Sequence, residues 1–127
     1  MKTWDLNGIS LVNRVGGMGI EADANPFFAV TMLGYPHDPP YTGDWQYYCT
    51  NVTNTWSYSP SGGRLYIDHC PLSGGTSGGP WLDKYDNSTG LGYINGTSST
   101  VNRDAGIWTS PYFDDDDWNL YNYTDSL

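Results

Sequence analysis

The residues best suited to chemistry lie in one segment, Asp68-His69-Cys70-Pro71-Leu72-Ser73-Gly74-Gly75-Thr76-Ser77-Gly78-Gly79-Pro80-Trp81-Leu82. Acyl transfer by serine needs a hydroxyl held at a tight turn, with backbone N–H groups aimed at the oxygen that becomes negative in the tetrahedral intermediate. Glycines on both sides let that backbone curl inward without side-chain clashes. In such chemistry Ser77 is the nucleophile, and the N–H groups of Gly75 and Ser77 form the oxyanion hole. Two other readings stand beside this one. The segment fits a glycine-rich loop with an idle serine, and Gly75-Thr76-Ser77-Gly78-Gly79 fits a nucleophile elbow, which must lead into a helix. Pro80-Trp81-Leu82 looks instead like a strand leaving the turn, which weighs against the elbow.

A strand there agrees with the rest of the chain. Its 127 residues make one domain with one core. With 6 Trp, 11 Tyr, 3 Phe, 16 Gly and 8 Pro, the composition favours short strands and tight turns over helical packing. Apolar stretches of strand length run from Ile9 to Val12, Phe27 to Leu33, Trp45 to Cys49, Leu65 to Ile67, Pro80 to Leu82 and Leu91 to Ile94. Turn clusters separate them at Gly16-Gly17, Gly34-Tyr35-Pro36, Asp38-Pro39-Pro40, Ser59-Pro60-Ser61-Gly62-Gly63 and Ser73-Gly74-Gly75. The expectation is an all-β fold, a single small antiparallel barrel spanning residues 1–127. The tail differs. Four aspartates, Asp114 to Asp117, precede Trp118, Leu120 and Tyr121 and predict a short C-terminal helix packed by aromatics, with negative charge at its N-terminus. The run lacks the spaced oxygen ligands and turn glycine of a calcium loop and reads as a solvated helix start. No metal or cofactor is implied.

The formal net charge is -9 with only 5 lysines and arginines, so no cationic face is available for phosphates or anionic lipid headgroups. Nucleic acid is excluded as a partner on that ground. No apolar run is long enough for a helical membrane span. The start, Met1 to Leu6, lacks the apolar core of a signal peptide. Two cysteines and four N-glycosylation acceptor patterns, at Asn51, Asn87, Asn95 and Asn122, nevertheless suit a secreted protein. The expectation is that export would be specified by upstream sequence lost from this chain.

The string Gly75-Thr76-Ser77-Gly78-Gly79-Pro80 resembles the Gly-Asp-Ser-Gly-Gly-Pro signature of trypsin-like serine endopeptidases. The bacterial and fungal extracellular branch is more similar still, with a Cys, a few residues, then Gly-Gly-x-Ser-Gly-Gly-Pro-Trp. Arg14-Val15-Gly16-Gly17-Met18-Gly19-Ile20, Gly34-Tyr35-Pro36, Pro40-Tyr41-x-Gly43, Tyr48-Cys49, Ser110-Pro111-Tyr112-Phe113 and Leu120-Tyr121 extend the resemblance over nearly the whole chain. The implied fold is the C-terminal barrel of the chymotrypsin fold, a six-stranded type with a short C-terminal helix. Ser77 is the implied nucleophile and a polypeptide the implied substrate.

The family's catalytic His and Asp lie on a first barrel, in a Thr-Ala-x-His-Cys context that nothing here resembles. A base must reach the serine. Only His37, in a proline-rich turn, and His69, seven residues before Ser77, are present, and His69 is the better placed of the two in sequence. Thr76 stands where the mammalian pattern has an acidic residue, so activation through a freed N-terminus is not implied. By the same resemblance Cys49 and Cys70 pair as a disulfide steadying the nucleophile loop, the alternative being two reduced core cysteines. Tyr93-Ile94-Asn95-Gly96 resembles the strand that lines the specificity pocket and pairs with substrate, and a glycan on Asn95 would crowd that cleft. Two functions follow. One is an incomplete serine endopeptidase that needs a missing N-terminal barrel, whose absence leaves an apolar face open to self-association. The other is a non-catalytic secreted peptide-binding module derived from such an enzyme.

Overall fold

The computed structural model describes residues 6–59 and 62–126. Met1 to Asp5, Pro60, Ser61 and Leu127 lie outside the described residues, and with them the centre of the turn expected at Ser59 to Gly63. The elements run α1 (Leu11–Val15), β1 (Gly19–Ile20), β2 (Ala29–Gly34), β3 (Tyr47–Val52), β4 (Asn54–Ser59), β5 (Gly62–Ile67), β6 (Pro80–Asp86), β7 (Leu91–Thr97), β8 (Thr100–Asn102), β9 (Ile107–Pro111) and α2 (Asp115–Asp125). The all-β fold with a C-terminal helix is thus as expected, and five of the six apolar stretches coincide with β2, β3, β5, β6 and β7. The sixth does not. Ile9 to Val12 meets no strand partner of its own length; Leu11 to Val15 instead make one exposed helical turn ended by Gly16 at φ 78°.

The strands form two sheets, ordered β1-β7-β6-β2-β3 and β4-β5-β9-β8. Every pairing is antiparallel except β1 with β7. Thr53 joins the sheets. It is fully buried between β3 and β4, its hydroxyl donates to the Pro26 carbonyl at 2.7 Å, and it accepts from Phe28 N–H at 2.9 Å. These bonds satisfy the backbone where the strand leaves one sheet for the other. The two sheets also approach each other where β7 lies beside β9. The seam between β7 and β9 is not a strand ladder. Ser99 N–H to Thr109 O at 2.9 Å and Thr97 N–H to Ser110 Oγ at 2.9 Å bridge it instead.

Alternation along β2 and β5 turns Val30, Met32, Leu65 and Ile67 inward, where they meet Trp81 and Trp108. Both indole N–H groups are satisfied, by Ser98 Oγ at 3.1 Å and by the Leu72 carbonyl at 3.2 Å. Cys49 and Cys70 belong to this core, and the structure corrects the expected disulfide: both are free thiols. The neighbouring Cys49 thiol, together with burial, pushes the Cys70 thiol up from its ordinary range. The tail begins as its aspartates predict. Asp114 caps α2 by accepting from Asp116 N–H at 2.9 Å, while Asp117 accepts from Asp114 N–H at 3.1 Å. The expected packing is slight, however: no residue of α2 is buried, and Trp118 stacks on Tyr121 of its own helix, 5.3 Å away.

Candidate active site

Two turns in succession shape the segment before β6. Thr76 N–H donates to Ser73 O at 3.3 Å and Gly79 N–H to Thr76 O at 3.0 Å. Each turn carries a positive-φ glycine at its third position, Gly75 at 96° and Gly78 at 76°, as type II turns demand. Thr76 is buried and its hydroxyl donates back to Ser73 O at 2.9 Å, pinning the first turn from inside. Ser77 is left exposed at the corner. Among the described residues, neither the Gly75 nor the Ser77 N–H has a hydrogen-bond partner in the chain. Both residues line a cleft of about 370 Å³ shared with Met18, Leu33, Tyr35 and Gln46. Because Pro80 opens a strand, the nucleophile-elbow alternative fails its own structural condition.

No family description and no curated protein sequence matches the chain. Solved structures do. The crystal structure of the protease Anisep from Arthrobacter nicotinovorans superposes with a TM-score of 0.79 at 27% identity, covering 97% of this chain and 55% of that one. A thermostable serine protease, AL20, from an extremophilic microorganism gives 0.78 at 26% identity, covering 98% and 56%. The fold is that of the C-terminal half of a trypsin-like serine protease. The chain therefore spans a little over half the length of the structures it matches.

In the folded chain the two histidines exchange the ranks that sequence gave them. His69 points to solvent, its side chain 88% exposed, with Nδ1 3.1 Å from Asp68 Oδ1. That contact holds the Asp68 carboxyl below its ordinary range. His69 lines no part of the Ser77 cleft. His37 is the histidine beside the turn. A β-carbon placed on Gly75 would meet His37 Cδ2 at 2.8 Å and the Tyr35 carbonyl oxygen at 2.6 Å. Its Nδ1 lies 3.1 Å from Asp38 Oδ1, and no hydrogen bond joins it to Ser77 among the described residues. Sequence reasoning missed this neighbour. The signal was Gly34-Tyr35-Pro36, which ends β2 and feeds the loop back over Gly75.

The strand expected to pair with substrate lies in β7, and part of it is already paired within the chain. At Tyr93 and Ile94 both edges are taken, by Gly19 and Ile20 of β1 on one side and by Asp83 and Leu82 of β6 on the other. Glu21 N–H extends the cover by donating to Ile94 O at 3.0 Å. An added strand requires a free edge, and Tyr93 and Ile94 have none. Asn95 is 1% exposed, so its acceptor sequence cannot carry a glycan in the folded chain. Asn51 is also engaged, donating to Asp68 O at 2.7 Å, and Asn122 lies within α2, whereas Asn87 is exposed in the turn after β6. β1 is anchored by Glu21, whose carboxylate accepts from Lys84 Nζ at 2.6 Å. This bond, against a smaller effect of burial, holds Glu21 below its ordinary 4.5.

Proposed function

We propose that this chain is the nucleophile-bearing half of a secreted serine endopeptidase acting on polypeptide substrates. Ser77 Oγ attacks the scissile carbonyl, and the N–H groups of Gly75 and Ser77 receive the oxyanion. The observation that carries this reading is the double turn, which exposes Ser77 while leaving both donors unengaged beside a cleft. Donors held in this way need no rearrangement as charge develops. The base and its orienting carboxylate come from a first barrel, which precedes this half in the complete enzyme. Without them the hydroxyl is a weak nucleophile at neutral pH.

The uncovered surface supports the same reading. Leu11, Val12 and Val15 of α1 and Leu120, Tyr121 and Tyr123 of α2 are exposed, as is Trp118 at 42%. Exposed apolar side chains on both helices are the kind of surface a docking barrel would cover. A non-catalytic peptide-binding module is the second reading, favoured by one observation: the nearby imidazole, His37, is bonded to Asp38 and not to Ser77. The test is a fusion of this chain to a first barrel that supplies Thr-Ala-x-His-Cys and the triad Asp. Peptide-ester hydrolysis that appears on fusion and disappears with Ser77→Ala establishes the endopeptidase. A folded fusion that binds peptides without cleaving them establishes the module.

A further inference from the structure

The first turn of the candidate site is held from outside by a loop nearly forty residues earlier. Its carbonyl at Gly74 accepts from His37 N–H at 2.7 Å, and its Gly74 N–H donates to Asp38 Oδ2 at 3.2 Å. In a trans peptide the C=O of one residue and the N–H of the next point in opposite directions. Fixing Gly74 O on His37 therefore fixes the direction of the Gly75 N–H, pointing it away from that loop. The Ser73 hydroxyl adds a bond to Asp38 O at 3.3 Å. Asp38 itself is gripped twice, by Arg103 Nη2 through Oδ2 and by His37 Nδ1 at 3.1 Å through Oδ1.

Arg103 comes from the segment between β8 and β9, so one carboxylate ties three separate loops together. The fit is tight. A β-carbon on Gly74 would meet Asp38 Oδ2 at 2.6 Å and Arg103 Nη2 at 2.9 Å. Thr76, before the nucleophile, is buried and uncharged, and its hydroxyl stays inside the turn. Its side chain packs against Gly34 at the end of β2 and carries no charge to grip the neighbouring loops. Charge-assisted bonds are the stronger kind, and the carboxylate of Asp38 supplies them here.

We propose that Asp38, clamped by Arg103 and His37, is a positioning residue that holds the Ser73 to Ser77 turn in its oxyanion-binding form. The inference rests on Gly75 and Ser77 being the oxyanion donors. A turn that keeps this form only a tenth of the time reacts about tenfold more slowly, because rate scales with the competent fraction.

The experiment uses the full chain with Asp38→Ala, Asp38→Asn and Arg103→Gln, and reads amide hydrogen exchange alongside the rate at which a fluorophosphonate modifies Ser77. In Asp38→Ala, exchange at the Gly74 and Thr76 amides rises about tenfold and modification slows about tenfold, while Met32 and Leu82 in the core exchange as before. Asp38→Asn keeps an oxygen for the Gly74 N–H and recovers most of both, and Arg103→Gln falls between. Unchanged exchange and rate in Asp38→Ala overturn the proposal. So does raised exchange with an unchanged rate, which would mean that the clamp orders the loop without serving the oxyanion hole. If Ser77→Ala is modified as fast as the parent, the reading of Ser77 itself has failed, and the exchange data still decide whether Asp38 orders the turn.

Discussion

Replacing Gly75 by alanine, with Gly78→Ala as its partner experiment, separates backbone conformation from close contact at the candidate site. Both glycines have positive φ, where a β-carbon costs about 1–2 kcal/mol. Their surroundings differ. A β-carbon at Gly78 meets nothing within 4 Å, whereas at Gly75 it lies 2.6 Å from Tyr35 O and 3.1 Å from His37 N, backbone atoms that cannot swing aside. Overpacking of that kind adds roughly 1–3 kcal/mol. Gly78→Ala should therefore lower the melting temperature by about 5 °C, and Gly75→Ala by about 10 °C or more, for a domain of this size. The rates should separate further. Shifting the Gly75 peptide removes an oxyanion donor, worth about 10²- to 10³-fold, whereas the Gly78 N–H is bonded to Ser98 O at 2.8 Å and takes no part. The assays are thermal melts followed by circular dichroism and fluorophosphonate modification of Ser77. Equal effects of the two substitutions on both would refute the argument from contact.

Three further outcomes follow from the same structure. Because Cys49 and Cys70 are free thiols buried in the core, mass spectrometry of non-reduced peptides from the folded chain should find both unlinked, and a Cys49–Cys70 link would contradict this packing. Glu21 has a folded-state value below its ordinary 4.5, so its contribution to stability is complete above that pH and is lost as pH falls through the lower, folded value. Carbon-detected NMR titration should place its midpoint below 4.5, and Lys84→Met should bring it back up, with little effect on stability because Lys84 is exposed. The isolated chain should bind a hydrophobic dye through α1 and α2, and polar replacement of Trp118 and Leu120 should reduce that binding; a monodisperse monomer that binds no dye would contradict the uncovered face.

What the sequence made legible was local. The glycine spacing around Ser77 encodes its own turns, and four aspartates before Trp118 encode a capped helix, because in each case the partners lie within a few residues. Phe27 to Leu33 showed itself as β2 for the same reason, through β-branched and apolar residues that need burial. The remainder depends on contacts between distant segments. The bend at Thr53 is made by a hydroxyl bonding to backbone more than twenty residues earlier. The cover over Tyr93 and Ile94 comes from β1, two residues long, too short to give a periodic signal. His37 looked remote in a proline-rich turn, yet chain reversal at the end of β2 brings its ring against Gly75. Its neighbour Asp38 gained significance only when Arg103 closed on it from a third loop.

The most direct test of the account is the site at which a fluorophosphonate attaches to the folded chain. A serine lacking its base but facing a formed oxyanion hole retains roughly 10³- to 10⁴-fold catalysis over water. Peptide mapping by mass spectrometry should therefore find slow modification at Ser77, ahead of every other serine, and none there after denaturation in urea. Modification spread evenly over exposed serines, or equal before and after unfolding, would show that the turn confers no reactivity and that Ser77 is an idle residue in a glycine-rich loop.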